Sequence, residues 1–111
     1  MKVVINTRIG GFHLSREGLA EYVRQKGFTP RIVEDDHYGM PAVYCENQQV
    51  YSMYIERSDP ALVRTIEKLG EKADGDSAIL KIVDIPDDVD YIICEHDNGR
   101  EWIAEKHRTW D

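Results

Sequence analysis

The chain has 111 residues, 41% apolar and 32% charged, with a net charge of −7. This points to one soluble acidic domain over residues 1–111, with no apolar run near the ~18–20 residues of a membrane span. The first 31 residues carry a net +4 and the remainder −11, so duplex nucleic acid is excluded as a general partner, whereas a local site for a small anion in the first third is not.

Val3-Val4-Ile5 is β-branched and reads as a buried strand that ends before Gly10-Gly11. Ser15 is a good N-cap, Leu14 and Leu19 have the spacing of a hydrophobic staple, and Gly27 suits the C′ position. A helix over 15–26 follows. Phe28 to Val33 reads as a short strand, with Pro30 at its start or on an edge. Glu34 to Pro41 reads as a loop. Ala42–Glu46 and Val50–Glu56 read as strands joined by Asn47-Gln48-Gln49.

Asp59-Pro60 caps a second helix over about 60–72, where Leu62, Ile66 and Leu69 recur on one face. Asp74-Gly75-Asp76 stops it. Ile79–Ile85 is a further strand. Tyr91–His96 and Arg100–Lys106 flank Asn98-Gly99, a strong hairpin signal. A two-residue turn there pairs Cys94 with Ile103, Glu95 with Trp102 and His96 with Glu101. The order is β-α-β-β-β-α-β-β-β. It suggests an α+β fold, a mainly antiparallel sheet with two helices packed on one face. The helix over 15–26 and the hairpin are both expected to pack on the strand that starts at Val3.

Two segments carry residues suited to a ligand. Gly10-Gly11-Phe12-His13-Leu14-Ser15 joins a strand to a helix N-terminus, where free N–H groups and the helix dipole favour anions. Arg8 and Arg16 flank it. It is neither a dinucleotide-binding glycine fingerprint nor a P-loop, and the plainer reading is a tight turn capped by Ser15. The end of the chain holds Trp102, His107, Arg108 and Trp110. Indoles stack on bases and arginine pairs with phosphate, although a core Trp and a polar tail are the plainer reading. The candidate ligand residues are therefore Arg8, Gly10, Gly11, His13, Ser15, Arg16, Trp102, His107, Arg108 and Trp110.

No metal and no cofactor is expected, because the histidines lack ligand spacing and Asp35-Asp36-His37 are sequence neighbours. Cys45 and Cys94 are too few for a disulfide scaffold or a Cys-only zinc site, and read as small buried apolar groups. Cys94 and His96 are two apart on one strand face, and nothing marks a thiolate there. The chain opens without a charged-then-apolar leader, so a cytoplasmic setting is expected. No catalytic set converges in the sequence.

Val3-Val4-Ile5-Asn6, Gly10-Gly11-Phe12-His13-Leu14-Ser15, Leu69-Gly70-Glu71-Lys72-Ala73, Ile85-Pro86-Asp87-Asp88-Val89 and the run from Glu101 to Trp110 resemble small proteins encoded by bacteriophages and prophages. The resemblance covers both ends and most of the second half, and weakens between about Glu34 and Arg57. It implies an accessory role inside a bacterial host and carries no catalytic residues across.

Two classes of function follow. One is an accessory binding protein that counters host defence by sequestering a small nucleotide signal or by docking to a host defence protein. The alternative is a small enzyme acting on a nucleotide or similar metabolite. A homodimer or higher oligomer is expected through 50–56, whose Tyr51, Met53, Ile55 and Tyr54 fall on both faces of a strand.

Overall fold

The computed structural model describes residues 1–34 and 42–105. Lys2–Asn6 forms β1 and pairs antiparallel with β5, Leu80–Asp84, from Lys2↔Asp84 to Asn6↔Leu80. Helix α1 spans Arg16–Gln25. It starts at Ser15, whose side chain accepts from the Gly18 N–H at 3.0 Å. Past its end Gly27 has φ 94°, and the Phe28 N–H returns to the Val23 carbonyl at 3.2 Å.

Strands β2 (Pro30–Val33), β3 (Ala42–Cys45) and β4 (Gln48–Gln49) make a small antiparallel sheet. Helix α2 spans Pro60–Leu69 and is capped by Asp59, whose carboxylate accepts from the Ala61 N–H at 2.9 Å. A 3-10 turn, Gly70–Ala73, continues it. Strands β6 (Tyr91–Glu95) and β7 (Glu101–Glu105) form the hairpin.

The fold is α+β, as expected, with every strand pair among the described residues antiparallel; the expected order holds except that Gln48–Gln49, not 50–56, is the strand after β3. The strands are divided among three sheets of two, three and two strands. No common ladder joins them; side-chain packing does, together with polar bonds between β1, the Gly10 turn and the hairpin. Val4, Leu14, Ile55, Leu62, Val63, Ile66 and Ala73 form the central cluster, with Phe12, Leu19 and Tyr22 against it. The apolar stripe of α2 thus meets the staple residues of α1 and one face of β1. Among the described residues no helix is long and apolar enough to cross a membrane.

Three expectations need correction. The segment 50–56 is not a strand. The chain turns at Glu46-Asn47, with Glu46 at φ 55°, and Tyr44 pairs with Gln49. The last bond to β3 is Val50 N–H to the Val43 carbonyl at 2.8 Å. A 3-10 turn at Ser52–Tyr54 follows, held because Ser52 Oγ accepts the Leu14 N–H at 3.0 Å. That tertiary bond outweighs the β propensity of the tyrosines.

The hairpin register is also shifted by one residue: Cys94 pairs with Trp102 and Glu95 with Glu101. The loop has three residues, Asp97-Asn98-Gly99, closed by His96 N–H to the Arg100 carbonyl at 2.8 Å. Gly99 alone takes positive φ, 91°, as a type I turn with a glycine bulge requires. A one-residue slip exchanges the faces of a strand. Glu101 is consequently buried while Trp102 is 41% exposed.

Finally, α1 packs chiefly on α2, and it is α2 that sits on β1 and β5. The hairpin reaches β1 through β7, as expected.

Two carboxylates, a half-buried Asp59 and a buried Glu21, tie the helices together. Asp59 accepts from the Tyr22 hydroxyl at 2.7 Å and lies 2.8 Å from Lys26 Nζ. Burial opposes its ionisation, but the hydrogen bonds from Lys26, Tyr22 and the Ala61 N–H outweigh burial and hold its carboxyl below 3.8. Burial, then the Asp59 bond, pushes the Tyr22 phenol up to about 12. Glu21 is held below 4.5 by its bond from Gln25, against burial and with help from Lys68 and Arg24.

Lowered carboxylate values make stability fall in acid. The contribution is complete above the unfolded values of 3.8 and 4.5 and is lost as pH drops through the depressed folded ones. Urea midpoints should therefore fall between about pH 5 and pH 2, and Asp59→Asn should flatten that fall. A second prediction concerns Gly99, where an added Cβ would lie 2.3 Å from the Gly11 nitrogen. Gly99→Val should lose about 2 kcal/mol or more of unfolding free energy by denaturant titration, from positive φ and this clash together.

Candidate functional site

The start of α1 is clamped against the turn that ends α2. The Ser15 N–H donates to the Ala73 carbonyl at 2.9 Å, and the Ser15 hydroxyl donates to the Lys72 carbonyl at 2.6 Å. Leu14 makes an isolated antiparallel bridge with Asp74. These bonds bring the 13–16 segment beside Gly75 and Asp76.

The result is a groove of about 250 Å³ lined by His13, Leu14, Ser15, Arg16, Leu19, Gly75 and Asp76. Three of the candidate ligand residues, His13, Ser15 and Arg16, line this opening. Leu14 and Leu19 add apolar walls. A Cβ on Gly75 would come within 2.1 Å of the His13 ring, so only glycine lets the imidazole lie there. The Gly75 N–H donates to the His13 carbonyl at 2.8 Å and fixes the two backbones together.

Arg16 is the cation of the groove. It pairs with Glu34 at 2.6 Å, with side chains 42% and 69% exposed. An exposed pair of this kind is worth ~0–1 kcal/mol, so an incoming anion displaces it cheaply. The dipole of α1 adds a positive field at the same end. Asp76 opposes that field and favours a ligand with a donor group beside its anionic one.

A second groove of about 250 Å³ shares His13 and Leu19 with the first and continues to Phe12, Val50, Tyr51 and Met53. Its rim is apolar. Met53 and Tyr54 are 75% and 79% exposed, and the Tyr51 and Tyr54 rings meet edge to face at 5.9 Å.

The other candidates lie elsewhere. The Gly10 N–H donates to the Asn98 carbonyl at 2.7 Å, so this glycine serves the hairpin loop rather than the groove. Gly11 is pressed against Gly99 at the same contact. Arg8 is exposed, and its backbone bonds to the Asn6 side chain. Trp102 stacks on His96 with centroids 4.3 Å apart on the hairpin. His107, Arg108 and Trp110, like Asp35-Asp36-His37, lie outside the described residues.

Sequence reasoning missed Gly75 and Asp76 as groove residues, because Asp74-Gly75-Asp76 signals only a helix stop. It missed the exposed turn at 51–54 because tyrosine-rich alternation mimics a strand. Among the described residues, no three His, Cys, Asp or Glu side chains gather as a metal set. Cys45 and Cys94 are free thiols, each half-buried.

No family model, no curated protein and no solved structure matches this chain.

Proposed function

We propose that the protein binds a small anionic ligand of the nucleotide class in the groove at the start of α1. On this reading it is a phage or prophage accessory protein that withholds a nucleotide signal from a host defence system. The observation that carries the reading is the convergence of His13, Ser15 and Arg16 on one opening with apolar walls from Leu14 and Leu19. Arg16 and the helix dipole suit a phosphate, and the apolar walls suit a base or sugar face. The basic first third of the chain, net +4, supports the same ligand charge. Arg108 and Trp110 are kept as further contacts on the sequence argument alone.

A panel of linear and cyclic nucleotides at up to millimolar concentration tests this by thermal shift. A binder at about 100 times its dissociation constant stabilises by about 2.7 kcal/mol, a rise of several degrees. Arg16→Ala and Arg108→Ala should each abolish the rise while moving the ligand-free melting temperature little. If no nucleotide raises the melting temperature, docking to a host protein replaces this reading. If the nucleotide is recovered chemically altered, the small-enzyme reading replaces it.

A second reading concerns self-association, and the exposure of Tyr51, Met53 and Tyr54 favours it. The contact is then a side-chain patch on a 3-10 turn, not a strand edge. Light scattering at micromolar concentration should give a dimer or larger species, and Met53→Ser with Tyr54→Ser should return it to a monomer. A monomeric parent removes this reading.

A further inference from the structure

Away from the α1 groove, the Arg57 guanidinium lies over the Phe12 ring, its Cζ 3.6 Å from the centroid. Its two terminal nitrogens donate to Oε1 and Oε2 of Glu101 at 2.6 and 2.8 Å. A third donor, the Asn6 backbone N–H, reaches Oε1 at 2.8 Å. Fork, aromatic shelf and backbone N–H are the parts of a carboxylate receptor. All of them belong to β1, to the Phe12 loop and to the segment leading into α2.

The carboxylate comes from elsewhere. Glu101 opens β7, and the β6–β7 hairpin is a separate two-stranded sheet whose principal contact with the rest of the described chain is β7 on β1. Among the described residues two polar bonds also tether its loop: Gly10 N–H to the Asn98 carbonyl at 2.7 Å and Asn6 Nδ2 to the Gly99 carbonyl at 3.1 Å. On the strand face opposite Glu101, Ile92 is 46% and Trp102 41% exposed. A lone two-stranded hairpin is marginally stable in water. The hairpin is therefore held by its latch more than by a core of its own, as expected for a low-stability unit.

We propose that the Arg57–Asn6 cradle is a carboxylate-binding site that the chain fills with its own Glu101, making the hairpin a displaceable plug. The ligand class is a carboxylate presented by a peptide, from an acidic side chain or a chain end. Such a group replaces Glu101 atom for atom and frees the hairpin. This inference does not rest on the nucleotide reading.

Glu101→Ala empties the cradle and leaves room for a probe. Sodium formate or acetate should raise its melting temperature saturably, by about 5 °C over sodium chloride at matched ionic strength. The parent and the double variant Arg57→Ala/Glu101→Ala should show no such difference. N-acetylglycine and the α-amide of N-acetylglutamate, carrying a chain-end and a side-chain carboxylate, identify the preferred source by which rescues at lower concentration. Equal responses of Glu101→Ala to formate and chloride overturn the proposal.

Should Glu101→Ala not fold, hydrogen exchange on Glu101→Gln decides. The amides of Ile92–Cys94 and Trp102–Ala104 should exchange at least about tenfold faster than in the parent, with those of β1, β5, α1 and α2 unchanged. Equal acceleration throughout makes the pair an ordinary structural bond and overturns the plug.

Discussion

β1 is buried on both faces, with Val3, Val4 and Asn6 at 0% exposure, yet among the described residues only one of its edges is paired with a strand. Buried N–H groups must find acceptors. On the open edge the Val4 N–H finds the Arg57 carbonyl at 2.9 Å, and the Asn6 N–H finds the Glu101 carboxylate at 2.8 Å. A backbone carbonyl and a side chain thus stand in for a third strand. The carboxylate then needs a counter-charge, which the Arg57 fork supplies, and the fork lies on Phe12. The Asn6 side chain completes the arrangement, donating to the Arg8 and Gly99 carbonyls and accepting from the Ile79 N–H. Breaking one member of such a pair costs about 3–5 kcal/mol, because the other is left charged and unpartnered.

The same constraint links this centre to the α1 groove. Phe12 carries the guanidinium, and the next residue in the chain is His13, which lines the groove. Leu14 then enters the core, and its N–H fixes the turn that presents Tyr51 and Met53. A six-residue stretch from Gly10 to Ser15 therefore touches the hairpin loop, the ion pair, the core and the helix cap in turn. Among the described residues no buried side-chain nitrogen or oxygen is left without a partner. A network satisfied in this way specifies one arrangement of three small sheets that share no ladder.

Local chemistry was legible in the sequence, and pairing at a distance was not. Ser15 and Gly27 bounded α1, Asp59-Pro60 started α2, and Asn98-Gly99 marked the hairpin, because caps and turns act on their own neighbours. The loop length was not legible: Asn-Gly suits two-residue and three-residue turns, and that single residue decides whether Glu101 or Trp102 faces β1. The fate of 50–56 depended on one bond between Ser52 and Leu14, which no periodicity records. His13, Ser15 and Arg16 could be grouped because they are adjacent in the chain. Asp76 joins them only through the fold. Arg57 and Glu101 stand 44 residues apart and belong to no motif, so this bidentate ion pair left no sequence trace.

The pairing of β1 with β5 also sets the order in which the molecule can be assembled. β2, β3 and β4 can zip as soon as they are made, since each lies next to its partner in sequence. β1 cannot. Its partner runs from Leu80 to Asp84, and the carboxylate for its other edge comes later still, at Glu101. Closing so long a loop is entropically slow. During synthesis the apolar strand Val3-Val4-Ile5 is made well before Leu80–Asp84, so it must stay unaggregated until that partner has been translated.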